Sequence, residues 1–401
     1  MLGKTNITTL KEGAIVTEIE DYRWIQQETG INGNFIKAIY NNEYLVAISK
    51  DGVIAYTMDG EVWNSFLLEY ADCRLNDIDW DGNRFILSGS YTDDGTSNET
   101  GLILTTNDFR NYNKINIENE DTEYLCVYPV NGKYIVFGVS SSAKAILGYI
   151  GNLESAWEKT FYVGCGTYTK GTASVAKTSN EILLGFGHRK SGPSGGSYYY
   201  DTVCKITNDG RSVTIYDQSL ASAAGSSSGG DRAVSAIYAF ECKDTLFYRS
   251  ALAISNYIFA KVLSSNEEMA LSTDINYMFV DGAYFNNCQV FINNHGMLVV
   301  KKNESIMDKT LDNLIEIAPE FTMNCIAKAF GRLYIFGNRG VILKSSVETN
   351  NEDSILVQTL SAKKALEDAK AYTDMKINEL KELLSIDAGQ AISDIMEGGV
   401  Q

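Results

Sequence analysis

Residues 35–63 read FIKAIYNNEYLVAISKDGVIAYTMDGEVW. Short apolar runs are cut by Asn41-Asn42, Asp51-Gly52 and Asp59-Gly60. Asn-Asn and Asp-Gly pairs accept the positive φ that tight hairpins need, so each pair is read as a turn between antiparallel strands. The stretch thus predicts strand A over residues 35–40, strand B over 44–49, strand C over 53–57 and a strand D that carries Trp63. The runs are almost wholly apolar rather than alternating, which is the pattern of a sheet covered on both faces.

The same grammar recurs along the chain. Further units start near Leu75, Tyr124, Ala173, Val234 and Met278, and a last one, MNCIAKAFGRLYIFGNRGVILKSS, spans residues 323–346. Gly82-Asn83, Asn131-Gly132 and Gly331-Arg332 stand where Asn41-Asn42 does, and Asn107-Asp108-Phe109 where Met58-Asp59-Gly60 does. Asn208-Asp209-Gly210 takes the third turn, and Trp157 repeats Trp63. Several strands per unit at a period of about 40 to 50 residues is the signature of a β-propeller. The expected fold is all-β, a seven-bladed β-propeller over residues 35–360 between an N-terminal arm (1–34) and a C-terminal α-helical, coiled-coil segment (361–401). Residues 15–27, with Tyr22 and Trp24, are read as an outer strand that closes the ring; ILVQTL at 355–360 competes for the same place.

Composition narrows the function classes. A net charge of −17 over 401 residues repels phosphate backbones and speaks against nucleic acid as a partner. The opening MLGKTNITTLKEGAIV lacks the apolar core of a signal peptide, and no run is long and apolar enough for membrane insertion, so synthesis in a bacterial cytoplasm is expected. Seven cysteines, none in a CxxC pair, are read as buried free thiols. With only His188 and His295 beside them, no zinc site is expected, and no metal or cofactor is assigned. Asp77, Asp79, Asp81 and Gly82 mimic half of a calcium loop, but Ser88 stands at the twelfth position, so the segment is read as a hairpin turn.

GVIAYTMDGEVW, residues 52–63, resembles the degenerate repeat of the sialidase-like and photosystem-assembly-factor-like propellers. The matching residues are turn and packing residues, so the resemblance implies a fold and not an activity. A sialidase would need an arginine cluster, a Tyr nucleophile with a Glu partner, and an Asp acid. The Arg-Ile-Pro motif that often carries the first arginine is absent, as are GxSxG, P-loop and dinucleotide fingerprints, and no enzyme is expected.

From Ser361 the composition changes to SAKKALEDAKAYTDMKINELKELLS, free of Gly and Pro. Ser361 is a suitable N-cap, and a narrow stripe follows through Leu366, Ala369, Ile377, Leu380 and Leu384 with 11-residue recurrences. A helix with this stripe either folds back on its own domain or self-associates, a trimer being favoured over a dimer. Ile392 and Ile395 add a second short apolar segment suited to docking on a neighbouring protein. ALEDAKAYTDMKINEL, residues 365–380, resembles helical segments of phage tail fibres and related phage structural proteins. That resemblance implies a virion component: a tail, tailocin (phage-tail-like bacteriocin) or baseplate protein, assembled into a particle released by lysis and joined to other tail or baseplate proteins through this helix.

Three insertions stand out: SYTDDGTSNETG (90–101) and HRKSGPSGGSYYY (188–200), read as B–C loops, and DQSLASAAGSSSGGDR (217–232), read as a D–A loop. All three map to one face. Tyr198, Tyr199 and Tyr200 offer flat rings for sugars, while His188, Arg189, Asp93, Asp94 and Arg232 offer polar and charged groups to orient them. The expected function is receptor binding for host recognition, with a host cell-surface glycan or protein as partner. A purely structural baseplate role and a sialidase-like glycan hydrolase are the alternatives.

Overall fold

The structure, a computed structural model, describes residues 24–345 apart from residues 71, 93–98, 118–121, 131, 141–144, 153–156, 165–172, 178–180, 192–196, 208–212, 225–236, 243–244, 251–256, 263, 266–267, 273–278, 286–287, 295, 303–312 and 318–319. The segment with Leu366, Ala369, Ile377, Leu380, Leu384, Ile392 and Ile395 lies outside the described residues, as do residues 355–360.

After β1 (Trp24–Gln26), the strands come in groups. The first sheet is β2 (Phe35–Tyr40), β3 (Leu45–Ser49), β4 (Val53–Thr57) and β5 (Asn64–Leu67). The second is β6 (Arg74–Trp80), β7 (Phe85–Thr92), β8 (Glu99–Thr106) and β9 (Asn113–Ile115). The third is β10 (Thr122–Val130), β11 (Lys133–Ser140), β12 (Ala145–Gly151) and β13 (Glu158–Gly164). The fourth is β14 (Ala173–Lys177), β15 (Glu181–Ser191), β16 (Ser197–Thr207) and β17 (Val213–Ala224). The fifth is β18 (Ile237–Cys242), β19 (Thr245–Ser250), β20 (Tyr257–Val262) and β21 (Glu268–Ser272). The sixth is β22 (Phe279–Phe285), β23 (Cys288–Asn293), β24 (Met297–Lys302) and β25 (Asn313–Glu316). The last group holds only β26 (Met323–Ala329), β27 (Arg332–Gly337) and β28 (Ile342–Ser345).

Each of the first six groups forms a four-stranded meander, and β1 supplies the fourth strand of the seventh sheet, in the order β1-β28-β27-β26. Trp24, Ile25 and Gln26 pair antiparallel with Ser345, Lys344 and Leu343. The first strands touch in sequence, β2 on β6, β6 on β10, β10 on β14, β14 on β18, β18 on β22 and β22 on β26, and β26 returns to β2. The sheets thus meet in a closed ring of contacts, with no α-helix among the described residues.

The ring explains the apolar runs. All five residues of β3 are buried. Val46 and Ile48 pack in one core with Leu75, Phe85 and Leu87 of the second sheet. Leu45 and Ala47 pack in another with Cys325, Tyr334 and Phe336 of the seventh. Alternate residues of one strand therefore face opposite neighbours, and neither face is left for water.

Side chains within the turns hold the turns' own backbone groups. Asn41 Oδ1 accepts the N–H groups of Glu43 (3.0 Å) and Tyr44 (2.7 Å), and Asp81 Oδ1 accepts those of Asn83 (2.8 Å) and Arg84 (2.7 Å). Thr57 Oγ1 accepts Gly60 N–H at 2.9 Å while Asp59 Oδ1 takes Glu61 and Val62; Thr106 and Asp108 repeat this with Phe109, Arg110 and Asn111. Phe109 pays the left-handed conformation (φ 56) that Gly60 adopts freely (φ 74), and its ring stacks on Tyr56 at 4.7 Å in compensation.

Two expectations are corrected. Trp63 and Trp157 stand just before β5 and β13 rather than inside strand D. The described residues of the three insertions are strand: β7 runs on to Thr92 and β8 starts at Glu99, β15 and β16 carry the pairing to Ser191 and Ser197, and β17 extends to Ala224, while the residues between or beyond them lie outside the described residues. Continued cross-strand hydrogen bonding satisfies backbone groups that a loop would leave to water.

Candidate functional site

Two arrangements concentrate chemistry. The first lines the inside of the ring. Five inner strands carry a register shift near their start: between Phe35 and Lys37, Leu75 and Asp77, Tyr124 and Cys126, Phe279 and Asp281, and Met323 and Cys325. A bulge re-aims the residue beside it. Lys37, Asp77, Cys126, Asp281 and Cys325 are thereby equivalent positions of one layer.

These positions join neighbouring sheets. Asp77 Oδ2 accepts the N–H of Val127 (3.2 Å), and Asp281 Oδ2 accepts that of Ile326 (3.0 Å). The bulge asparagines add a second clasp: Asn76 Nδ2 donates to Tyr124 O at 3.0 Å, and Asn324 Nδ2 to Phe35 O at 2.7 Å. Lys37 pairs with Asp77 through Nζ and Oδ1. The Lys37 side chain keeps 41% of its surface exposed, whereas that of Asp77 keeps 6%.

Burial works against the Lys37 ammonium, but the charge and hydrogen bond of Asp77 outweigh it and raise the lysine above its usual range. Burial pushes the Asp281 carboxyl up to about 6, opposed by the N–H groups of Ile326 and Gly282 and by the charge of Lys37. Burial likewise holds the Cys126 and Cys325 thiols well above the usual value. These are protonated, inert thiols rather than nucleophiles. The layer is a charged lock between sheets. The sequence reasoning passed over it, although its signal lay in the repeats: Lys37, Asp77, Cys126 and Cys325 each stand two residues after a repeat start.

The second arrangement is the fourth sheet. β14 has 5 residues, but β15 and β16 have 11 each and β17 has 12. Among the described residues β14 pairs with β15 as far as Phe186. Beyond it the described strands β15, β16 and β17 continue to pair, with His188 opposite Tyr200, Arg189 opposite Tyr199 and Lys190 opposite Tyr198. Tyr198, Tyr199 and Tyr200 pair in turn with Ala223, Ser222 and Leu220 of β17. At ~3.3 Å per residue, the five residues beyond Phe186 extend this pairing by roughly 16 Å. The structure thus brings His188, Arg189 and the three tyrosines together on one ribbon; Asp93, Asp94 and Arg232 lie outside the described residues.

No family model matches the chain, and no curated protein matches its sequence. Solved structures do. Virginiamycin B lyase from Staphylococcus aureus, solved with quinupristin, is 9% identical with a TM-score of 0.53, over 82% of this chain and 100% of that one. The Pan2 WD40 domain of Neurospora crassa is 10% identical with a TM-score of 0.51, over 79% and 90%. YCF48 from Cyanidioschyzon merolae is 14% identical with a TM-score of 0.50, over 80% and 98%. The likeness establishes an all-β, propeller-like fold and nothing about activity, because these folds host unrelated functions.

Proposed function

We propose that the chain is a seven-bladed β-propeller followed by a helical segment, and that it serves a phage tail or tailocin as a non-enzymatic module recognising a host cell-surface glycan. The observation that carries this reading is the long ribbon of β15, β16 and β17, on which His188 and Arg189 pair across from a run of three successive tyrosines. Ribbons that project from a rigid scaffold are where binding residues are best displayed. Tyrosine rings supply apolar faces for sugar rings, and Arg and His supply hydrogen-bond donors to fix orientation. Each such anchor contributes about 1–2 kcal/mol, so one copy binds weakly and several on one particle bind by avidity. The stripe of Leu366, Ala369, Ile377, Leu380 and Leu384 suits that multiplicity, as a trimeric stalk or as the grip on a baseplate partner.

The test is adsorption of intact particles to host cells. Replacing Tyr198, Tyr199 and Tyr200 together by Ala abolishes adsorption while assembly and folding persist. A triple variant that adsorbs and kills as the wild type does overturns the receptor assignment and leaves a purely structural baseplate role. Leu380→Asp separates the two ends of the molecule: it blocks incorporation into particles and leaves the melting of the propeller unchanged.

A further inference from the structure

We propose that the cleft between the second and third sheets, at the turns from β6 to β7 and from β10 to β11, binds a single anionic sugar unit, one hydroxylated ring bearing a carboxylate or a phosphate. These turns lie at the opposite end of the strands from the β15–β16 hairpin, so the site is independent of the recognition role given to the ribbon.

The cleft encloses about 250 Å³. That falls just below the ~300 Å³ at which pockets for drug-sized ligands begin, and it suits one ring rather than a chain. Its apolar walls are Trp80 and the Pro129-Val130 pair. Trp80 is braced on Phe85, ring centroids 4.6 Å apart, and stays half-buried at the cleft. A braced indole beside open space is a platform for the apolar face of a sugar.

The polar groups divide into a scaffold and a set of open donors. Asp81 is saturated: Oδ1 accepts two backbone N–H groups, and Oδ2 meets the Tyr134 hydroxyl and Arg84 Nε, the latter at 3.4 Å. Burial and the bond to Asp81 push the Tyr134 hydroxyl up to about 12, so it keeps its proton and its role as donor to Asp81. Arg84 offsets the Asp81 charge. Three donors remain: the Lys133 ammonium, which makes no ion pair among the described residues, the exposed Asn83 amide, and the Trp80 indole N–H, which has no protein acceptor among the described residues. Among the lining residues Lys133 is the one cation and Asp81 the one carboxylate, and with Asp81 offset by Arg84 the charge left to the cleft is that of Lys133, in a chain of net −17. Open donors, positive charge and an aromatic platform together select an anionic, hydroxylated ring.

The full chain is titrated with glucuronate, glucose 1-phosphate and glucose, read by tryptophan fluorescence and by amide chemical shifts. At least one of the two anionic sugars binds with a Kd on the order of 1 mM, and glucose binds about tenfold more weakly or not at all. Lys133→Gln, a change at an exposed turn, lowers the anionic affinity about tenfold. Trp80→Phe removes the fluorescence response. Neither anionic sugar binding more tightly than glucose, Lys133→Gln binding as the wild type, or a fluorescence response that survives Trp80→Phe each overturns the assignment.

Discussion

Asp77 and Asp281 hold the same position in two different sheets, and each accepts a backbone N–H from the sheet that follows, Val127 for one and Ile326 for the other. They differ in charge balance. Asp77 has Lys37 against it, whereas Asp281 has backbone donors and feels the lysine only at a distance. One repeated clasp thus exists in a compensated and an uncompensated form.

The uncompensated form makes stability depend on pH. The Asp281 carboxyl titrates at about 6 in the folded chain, above its ordinary value of 3.8. A carboxyl raised by folding contributes stability that is present in full below the unfolded value and is lost as pH rises through the folded one. Asp281→Asn removes this term. The variant therefore gains on the wild type as pH rises from about 4 to above about 6, by at most about 3 kcal/mol. Urea unfolding of both proteins at pH 4.5 and 7.5 measures it; a difference between them that does not change with pH refutes the assignment.

Lys37→Met leaves the buried Asp77 carboxylate without its cation. Loss of one partner of a buried pair costs about 3–5 kcal/mol, and the partial exposure of Lys37 lowers the expectation to about 1–3 kcal/mol. A double-mutant cycle with Asp77→Asn isolates the pair. Coupling indistinguishable from zero means that the two side chains act separately.

Removal of residues 1–30 strips β1 from β28. It also removes the bond from Gln27 N–H to Ile342 O at 2.8 Å, and opens a strand edge whose Ile342 and Leu343 are buried. An exposed apolar edge pairs with other chains. The melting temperature falls by roughly 5 °C or more, the equivalent of a few kcal/mol in a domain of this size, and light scattering reports aggregation. A shortened protein that melts as the full chain does shows that β1 adds nothing to closure.

Gly340 ties the seventh sheet to the segment ahead of the first. Its N–H donates to Gly33 O at 2.7 Å, its φ is +73, and a Cβ there would meet Ile31 O at 1.8 Å. Gly340→Ala is both strained and blocked, and lowers stability by about 2–4 kcal/mol in a denaturant melt. The contrast is Gly82→Ala: its φ is +96 but nothing lies within 4 Å, so only the backbone strain of about 1–2 kcal/mol is felt.

The sequence by itself determined the local chemistry of the fold. Asn41, Asp59, Asp81 and Asp108 bind backbone groups two and three residues ahead, so their turns are written within four residues of chain. Between those turns the apolar runs had only one use, as strands covered on both faces. Tertiary structure decided what depends on distant partners. That residues 24–26 pair with β28 rests on contacts some 300 residues apart, and no local signal ranks them above residues 355–360. Residues 188–191 and 197–200 read as loop in the sequence because the glycines and serines between them hide strands whose register comes from cross-strand pairing. The Lys37–Asp77 lock was equally hidden, because a charged residue in an apolar strand reads as solvated until ring closure brings its partner, 40 residues away, to the same bulge.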